Sequence, residues 1–134
     1  MANEAVIVEL LGNEGEAVDF TVADGVAISK GTLMSGGDLR VASASAGTAD
    51  VFVGVAAADK EASDGATNLA LYTHGIFDMT VNAGTAVTAG AMVVLSGANL
   101  IRDAIAEELL TGAVIGQALE TGSTSEVIEV LVNK

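Results

Sequence analysis

Two stretches of this chain, ISKGTLM at residues 28–34 and VTAGAMV at residues 87–93, open the same series of patterns. Each stretch places a glycine, Gly31 or Gly90, ahead of a short apolar run. Another apolar segment follows, then a strand pattern with a central glycine, an acidic loop and a last apolar strand. Short apolar runs bounded by glycine and acidic turns are typical of β-strands. The series therefore predicts a β-unit, and it occurs twice.

Matching residues of the two series lie at a nearly constant separation of 59 to 62 residues. The pairs are Gly31 and Gly90, Leu39 and Leu100, and Gly54 and Gly116. Self-similarity at a fixed spacing is the sequence signature of repeated units. We therefore predict two related β-units, residues 26–77 and residues 87–132, within one domain that spans residues 1–134.

The composition predicts how this domain is built. Apolar side chains make up 51% of the 134 residues but aromatic ones only 3%, so the core must consist mainly of Val, Ala, Leu and Ile. The chain has no proline, which leaves the turns to its 16 glycines, and no cysteine, which excludes disulfides. This length fits one domain with a hydrophobic core. The predicted fold class is mainly β, a compact β-barrel domain with one short helix.

The helical pattern lies at about residues 103–111. Asp103 is a residue type that caps helix N-termini, and Gly112 stands where a helix C-terminal glycine belongs. Ile105 and Leu109 are four residues apart, so they would share a face of the helix and pack against the sheet.

Two local patterns lie in and before the strand that contains Gly54. Val51, Val53 and Val55 alternate along this segment and would share a face, with Gly54 on the opposite face allowing another backbone to come close. Residues 42–50 are mostly Ala, Ser, Gly and Thr and offer little apolar surface. We predict an exposed, mobile loop at residues 42–50.

The charge balance excludes one class of partner. Asp and Glu number 18 while Lys and Arg number 5, which gives a formal net charge of −13. Such a surface repels phosphate, so we predict no nucleic-acid partner. An acidic surface also keeps an apolar-rich chain from associating indiscriminately.

The mean hydropathy is high, at +0.56. Even so, no stretch approaches the roughly 18 consecutive apolar residues of a membrane-spanning helix. Residues 1–4 lack the basic start of a secretory signal. We expect a soluble protein that is made in the cytoplasm and has no membrane partner.

Catalytic motifs are weak throughout the chain. His74 is its one histidine, and no motif places a nucleophile and an acid beside it. Residues 31–36 have the glycine spacing of a phosphate loop, but Gly37 and Asp38 stand where that loop requires Lys followed by Ser or Thr.

One acidic loop is a candidate for a hard cation. It contains Asp59, Glu61 and Asp64, but the alternating acids and distal Glu of a calcium loop are absent. A solvated acidic loop explains these residues better. We predict no enzyme activity, no cofactor and no metal site.

Several segments together resemble the head-decoration, or cement, proteins of tailed bacteriophages. In the lambda-type members a Leu-Met strand, a Val-Gly-Ile-like strand and a Tyr-x-x-Gly-x-Phe strand follow in this order. Here they are matched by Leu33-Met34, Val53-Gly54-Val55 and Tyr72-Thr73-His74-Gly75-Ile76-Phe77. The likeness covers residues 25–77. A group of small phage capsid accessory proteins starts with a pattern similar to Glu14-Gly15-Glu16-Ala17-Val18-Asp19-Phe20.

This resemblance implies a β-tulip-like domain with a structural role in the virion. Such proteins sit as homotrimers on the outer surface of an icosahedral head, bind the major capsid protein and stabilise the expanded capsid. Their N-terminal segment is an arm that adds a strand to a capsid sheet. Here the arm would lie within residues 1–8, with the capsid-binding residues Asn3, Glu4, Ala5, Val6, Ile7 and Val8. The same residues fit equally an ordinary first strand of the domain.

Two other function classes stay open. A head-fibre, tail accessory or display module would share the β-rich character and would bind a host-surface ligand through the loop at residues 42–50. A small enzyme subunit with a similar barrel would depend on His74. The second unit, from Thr85 on, is also larger than the corresponding tail of the lambda-type members.

Overall fold

The computed structural model describes residues 2–9 and 17–134, and these residues form mainly β-strands. The strands are β1 (Val6–Glu9), β2 (Ala17–Thr21), β3 (Leu33–Gly36), β4 (Ala42–Ala44), β5 (Phe52–Ala56), β6 (Asn68–Tyr72), β7 (His74–Val81), β8 (Met92–Leu95), β9 (Leu100–Asp103), β10 (Val114–Ala118) and β11 (Val127–Asn133). Short 3-10 helices lie at Asp38–Arg40 and Ala106–Leu110. The predicted mainly β fold class is confirmed. The Glu14-Gly15-Glu16 part of the resemblance lies outside the described residues.

The later strands close into a five-stranded barrel, which we call the second barrel. Antiparallel pairs join β7, β11, β10, β8 and β9 in that order. The barrel closes because β9 returns to β7 in parallel, with Thr80 opposite Leu100. β1 pairs with the first part of β7, along the edge to which β9 pairs further on, and Ile7 lies opposite Phe77.

The earlier strands form a sheet of the same kind, which we call the first barrel. Its strand order is β2, β6, β5, β3 and β4. The two ends of this sheet meet through a parallel bridge between Thr21, the last residue of β2, and Val41, just before β4. The first sheet therefore curls back on itself as the second one does.

The two barrels repeat one pairing register. The Thr21–Val41 bridge corresponds to the Thr80–Leu100 pair of the second barrel, a shift of 59 residues. β5 and β10 differ by 62 residues instead, because seven residues separate β4 from β5 and ten separate β9 from β10. The counterpart of Leu100 is therefore Val41, and not Leu39 as the sequence pattern indicated.

The repeated pairing also starts earlier than the predicted units. β2 lies before residue 26, and β7 spans the end of the first predicted unit while pairing with strands of the second barrel. We propose residues 17–72 and residues 74–133 as the two repeated units of this chain.

The interiors of the two barrels are built from side chains at matching positions. The first barrel encloses Val22, Ile28, Met34, Ala42, Ala56, Leu69 and Leu71. Their counterparts in the second barrel are Val81, Val87, Val93, Ile101, Ala118, Ile128 and Val130. Apolar side chains of modest size fill both interiors, so these interiors do not depend on aromatic residues.

A further apolar contact, which we call the joint, holds the two barrels together. Leu33, Phe52 and Val55 point outward from the first barrel, yet each is 0% exposed. They belong to the same buried cluster as the interior of the second barrel. The rings of Tyr72 and Phe77 lie beside each other, with centroids 6.2 Å apart. The outer face of the first barrel is thus a buried surface.

Gly54 makes this joint possible by reversing the alternation of β5. A register shift in the pairing of β3 with β5 marks a β-bulge there. Val53 therefore packs inside the first barrel while Val55 packs in the joint, so the prediction that they share a face is wrong. A Cβ atom on Gly54 would lie 2.8 Å from the carbonyl oxygen of Tyr72, which confirms the predicted close backbone approach. Gly116 has the same place at a bulge in β10.

The predicted helix at residues 103–111 is shorter and of another type, a 3-10 helix at Ala106–Leu110. Asp103 does not cap it, because the pairing of β9 with β8 extends to Asp103 and Ile105 precedes the helix. Five residues are also too few to stabilise an α-helix by its own hydrogen bonds. Ile105 and Leu109 are exposed, so the prediction that they pack against the sheet is wrong.

Gly31 and Gly90 provide a matched test of how the N-terminal segment is held. Both have a left-handed φ, 89° and 90°, so alanine strains the backbone equally and costs about 1–2 kcal/mol at either site. A Cβ atom on Gly31 would also collide with the carbonyl oxygen of Ala5, whereas among the described residues none approaches Gly90 within 4 Å. We expect Gly31→Ala to lower the free energy of unfolding by about 1–3 kcal/mol more than Gly90→Ala does.

Urea denaturation of the two variants measures this difference. Equal losses for Gly31→Ala and Gly90→Ala would contradict the contact between Ala5 and the first barrel.

Candidate functional site

The predicted capsid-binding segment, Asn3 to Val8, is folded onto the rest of the chain. The Ala5 N–H donates a 2.5 Å hydrogen bond to the carbonyl oxygen of Gly31, and Ala5 is buried. Ile7 packs against the main core and β1 pairs with β7. The segment is therefore a strand of this fold, and its contact with a capsid stays a prediction.

Two large apolar side chains of this segment are exposed. Val6 is 59% exposed and Val8 is 46% exposed. They lie on β1, which pairs with β7 along one edge, and among the described residues no strand lies beside its second edge. An apolar strand with an open edge can accept a strand from a partner. This edge is the feature of the N-terminal segment that is best suited to binding.

Asn99 ties the N-terminal segment to both barrels. Its side chain is fully buried, and its Oδ1 accepts a 2.9 Å hydrogen bond from the Leu33 N–H. Its Nδ2 donates to the carbonyl oxygen of Ala2 at 3.0 Å and lies 3.5 Å from a carboxylate oxygen of Glu4. Its own N–H donates to Ser45 Oγ at 2.9 Å. Sequence analysis missed this residue, although an asparagine in a turn between two strands is a signal for a left-handed turn position, and its φ is 58°.

The predicted mobile loop at residues 42–50 is instead part of the joint. Its first residues form β4, and the rest runs along the turn between β8 and β9. The Ala49 N–H donates to the carbonyl oxygen of Leu95 at 2.9 Å, and the Gly97 N–H donates to that of Gly47 at 3.2 Å. Small side chains allow the two backbones to come this close. A display module that binds its ligand through a free loop here loses its structural basis.

A lysine fills the centre of the acidic loop that was a candidate for a cation. Lys60 is buried, and its Nζ donates to the carbonyl oxygens of Asp24 at 2.7 Å, Glu61 at 3.0 Å and Val26 at 3.2 Å. Asp64 Oδ1 lies 3.3 Å from the same ammonium group. The chain thus supplies its own cation where the carbonyl oxygens converge.

The acids around Lys60 are held by hydrogen bonds within the loop. The Ala66 N–H is the main cause that keeps the pKa of Asp64 below its ordinary value, with a smaller contribution from Lys60. Asp59 accepts a 2.7 Å hydrogen bond from the Lys30 N–H. Within residues 2–9 and 17–134, no group of three or more His, Asp or Glu side chains is placed to hold a metal ion.

Arg102 and Glu108 form a two-pronged ion pair beside the second 3-10 helix. The guanidinium nitrogens donate to the two carboxylate oxygens at 2.9 and 2.7 Å. Glu108 also accepts a 2.9 Å hydrogen bond from the Ile105 N–H. The hydrogen bonds from Arg102, and next that from Ile105, hold the pKa of Glu108 below its ordinary value. This pair fixes the 3-10 helix against the outside of the barrel.

The other features weighed in the sequence lie apart from one another. His74 is exposed at the start of β7, opposite Asn133. The glycine spacing of a phosphate loop falls largely on strand β3, Leu33–Gly36, and not on a loop that opens a helix. In the described part of the chain, no helix is long and apolar enough to cross a membrane.

A shallow, mostly apolar groove of about 220 Å³ crosses the outside of the second barrel. We call it the Gly116 groove. It is lined by Met92, Val114, Gly116, Gln117, Leu131 and Asn133. The floor is bare backbone at Gly116, because a Cβ atom there would collide with the carbonyl oxygen of Leu131. The groove is thus a rigid feature of the sheet.

Comparison with known proteins bears on all of these surfaces together. The model of a family described as phage cement protein matches residues 12–133. The match covers both repeated units, so it extends well beyond the segment that carries the resemblance in the sequence. No curated protein matches the chain.

The ion pair of Glu108 predicts a pH dependence of stability. Because the pKa of Glu108 is lower in the folded chain than its ordinary value of about 4.3, the carboxylate stabilises the fold above that pH. The stabilisation is lost as the pH falls through the lowered pKa. We expect Glu108→Gln to reduce the free energy of unfolding by about 1 kcal/mol at pH 7, and we expect this effect to shrink progressively as the pH falls below the ordinary pKa of about 4.3.

Urea denaturation across this pH range gives the measurement. Glu107→Gln is the matched control, because Glu107 is the neighbouring acid and is exposed, while the ion pair with Arg102 is made by Glu108. A constant difference between Glu108→Gln and the unaltered chain at all pH values would contradict the role of the carboxylate.

Proposed function

The chain belongs to the phage cement protein family, and on that premise we propose that it decorates the outer surface of an icosahedral phage head as a homotrimer and stabilises the expanded capsid. The family match itself makes the chain a structural, capsid-binding component of the virion. The observation that carries the proposal is that the match spans both barrels. Membership in a structural family also points away from an enzyme.

The physical properties of the chain support this role. A packed head is under outward pressure, and many copies of a rigid protein that bridges capsid subunits add contact area where the shell would otherwise open. Two curled sheets joined by a buried apolar contact provide the rigidity. A net charge of −13 disfavours aggregation where many copies are crowded on one particle. We propose that the copies are made in the host cytoplasm and added to the head there.

We propose further that residues Asn3 to Val8 contact the major capsid protein while they remain part of the fold. The exposed side chains of Val6 and Val8 provide the apolar contact, and the open edge of β1 accepts a capsid strand. This differs from an arm that leaves the domain, because Ala5 and Ile7 are packed in the core.

Sedimentation with heads tests the proposed function. Purified chain is mixed with expanded, undecorated heads of the parent phage, and the copies that pellet are counted at saturation. We expect saturation near one copy per capsid subunit, because trimers would occupy every threefold position. Saturation at far fewer copies would indicate a fibre or vertex protein, and the absence of binding would overturn the cement role.

The same assay tests the N-terminal contact with a surface variant. Val6→Thr combined with Val8→Thr preserves strand propensity and removes apolar contact area, so we expect head binding to weaken about tenfold. Deletion of residues 1–8 would be a poorer test because it also removes core residues.

Val26→Thr combined with Val127→Thr is the matched control, since both of these valines are exposed elsewhere on the surface. Thermal unfolding should be the same for the two double variants. Equal head binding by both would remove β1 from the capsid interface.

A further inference from the structure

The two barrels repeat one fold, yet the same face is buried on one barrel and open on the other. In the first barrel this face carries Leu33, Phe52 and Val55, which are fully buried in the joint. In the second barrel the counterparts of Leu33 and Val55 are Met92, which is 42% exposed, and the exposed Gln117. The open face is therefore the repeat of a surface that this chain already uses to bind a barrel.

The Gly116 groove lies on this open face, and the correspondence extends to its whole lining. Its residues Met92, Val114, Gly116, Gln117, Leu131 and Asn133 repeat Leu33, Phe52, Gly54, Val55, Tyr72 and His74. Most of the latter set is covered by the joint. The groove is thus the part of the open face where the joint, if repeated, would be made.

The joint also identifies what would fill the groove. The turn between β8 and β9 sits on the covered face of the first barrel, where Asn99 bonds to the Leu33 N–H. In the first barrel the matching turn lies between β3 and β4 and contains Leu39 and Arg40. Leu39 is 85% exposed, and the neighbouring Val41 is 45% exposed. The first barrel thus has an exposed apolar turn that corresponds to the turn in the joint. The second barrel has an exposed apolar groove that corresponds to the face which that turn covers.

The backbone of this tip supports a binding role. Leu39 and Arg40 both have a left-handed φ, 55° and 61°. Neither leucine nor arginine is a residue type that favours this conformation, and strained, exposed positions of this kind are typical of binding and functional surfaces. This conformation exposes the Leu39 side chain to solvent, where it contributes little to the stability of a single chain.

We propose that the Leu39 turn of one copy binds the Gly116 groove of a second copy, so that the joint within one chain is repeated between chains. Such a contact joins two different patches and is therefore head-to-tail, and it closes into a ring if the rotation allows. The proposal rests on the proposed function in one respect, since a closed ring of three copies is the homotrimer proposed there.

The surroundings of the groove fit this occupant. The second 3-10 helix follows β9, where the first barrel has the residues that bond to the β8–β9 turn. Its side chains Leu109 and Leu110, and the preceding Ile105, are exposed and would flank the incoming turn. The incoming turn carries Arg40, one of five basic residues in a chain of net charge −13, and the helix carries the exposed acid Glu107. Opposite charges therefore meet where two acidic copies must approach.

Cross-linking tests the contact directly, because the chain has no cysteine of its own. Leu39→Cys and Gln117→Cys are made as separate variants, mixed, and treated with a short bifunctional maleimide, both in solution and on heads. We expect about tenfold more cross-linked pair from the mixture than from either variant alone, because a head-to-tail contact joins different patches. Ala62→Cys replaces Gln117→Cys in the control, since Ala62 is exposed in a loop of the first barrel.

The outcomes separate this proposal from the cement role. Cross-linking of Leu39→Cys to itself, or equal yields with Ala62→Cys, would overturn the head-to-tail contact. Heads that bind the protein without this cross-link would overturn the contact and leave the cement role standing. Cross-linking in solution without any head binding would support the contact between copies and overturn the cement role. In a variant that carries both Leu39→Cys and Gln117→Cys, cross-linked products limited to three copies support the ring, and a ladder of larger products overturns it.

A variant without a cross-linker gives a second measurement. Leu39→Asn keeps the stability of the fold because asparagine tolerates a left-handed φ. It removes the apolar tip, so we expect the concentration for half-saturation of heads to rise about tenfold. An unchanged binding curve would overturn a role of Leu39 in the contact.

Discussion

A reversal of side-chain alternation at one glycine underlies the whole architecture. In β5 the bulge at Gly54 sends Val53 into the first barrel and Val55 out of it, so the strand is apolar on both faces. A regular strand would have placed both valines on one side, opposite Phe52, Gly54 and Ala56. Val55 could then not have joined Phe52 on the outward face that packs against the second barrel. At Gly54 the neighbouring backbone leaves no room for a side chain. The bulge at this glycine therefore also allows the two barrels to pack against each other.

Polar interactions give this apolar body its fixed geometry. The chain has no disulfide, and its aromatic content of 3% leaves few large anchors. Asn99 and Lys60 anchor the structure instead. Each has a buried side chain that forms hydrogen bonds with several backbone groups. Such hydrogen bonds are directional, so they select one arrangement of loops among the many that small apolar side chains would tolerate. Rigidity of this kind is what a protein that fits a repeating shell requires.

The repeat and the β class could be predicted from sequence because Gly31 and Gly90 mark the same turn and apolar strands follow each of them. The loop before β5 could not, because Ala, Ser and Gly carry no hydrophobic signal and their value lies in allowing close backbone contact. The predicted helix cap at Asp103 was wrong for another reason. Asp103 pairs with β8 as the last residue of β9, so it belongs to a strand. For the N-terminal segment the apolar pattern is the same whether β1 pairs within the chain or with a capsid, so the sequence left both possibilities open.

The position of β1 has a mechanical consequence. β1 runs antiparallel to β7 along one edge, and β11 runs along the other edge of β7 for seven residue pairs. A force on β1 along its strand axis would act perpendicular to the hydrogen bonds that join it to β7. Such a load is shared by all bonds of the ladder at once, whereas a pull at right angles would peel them apart one by one. If β1 contacts the capsid as proposed, a force in this direction would pass through β7 into the wall of the second barrel.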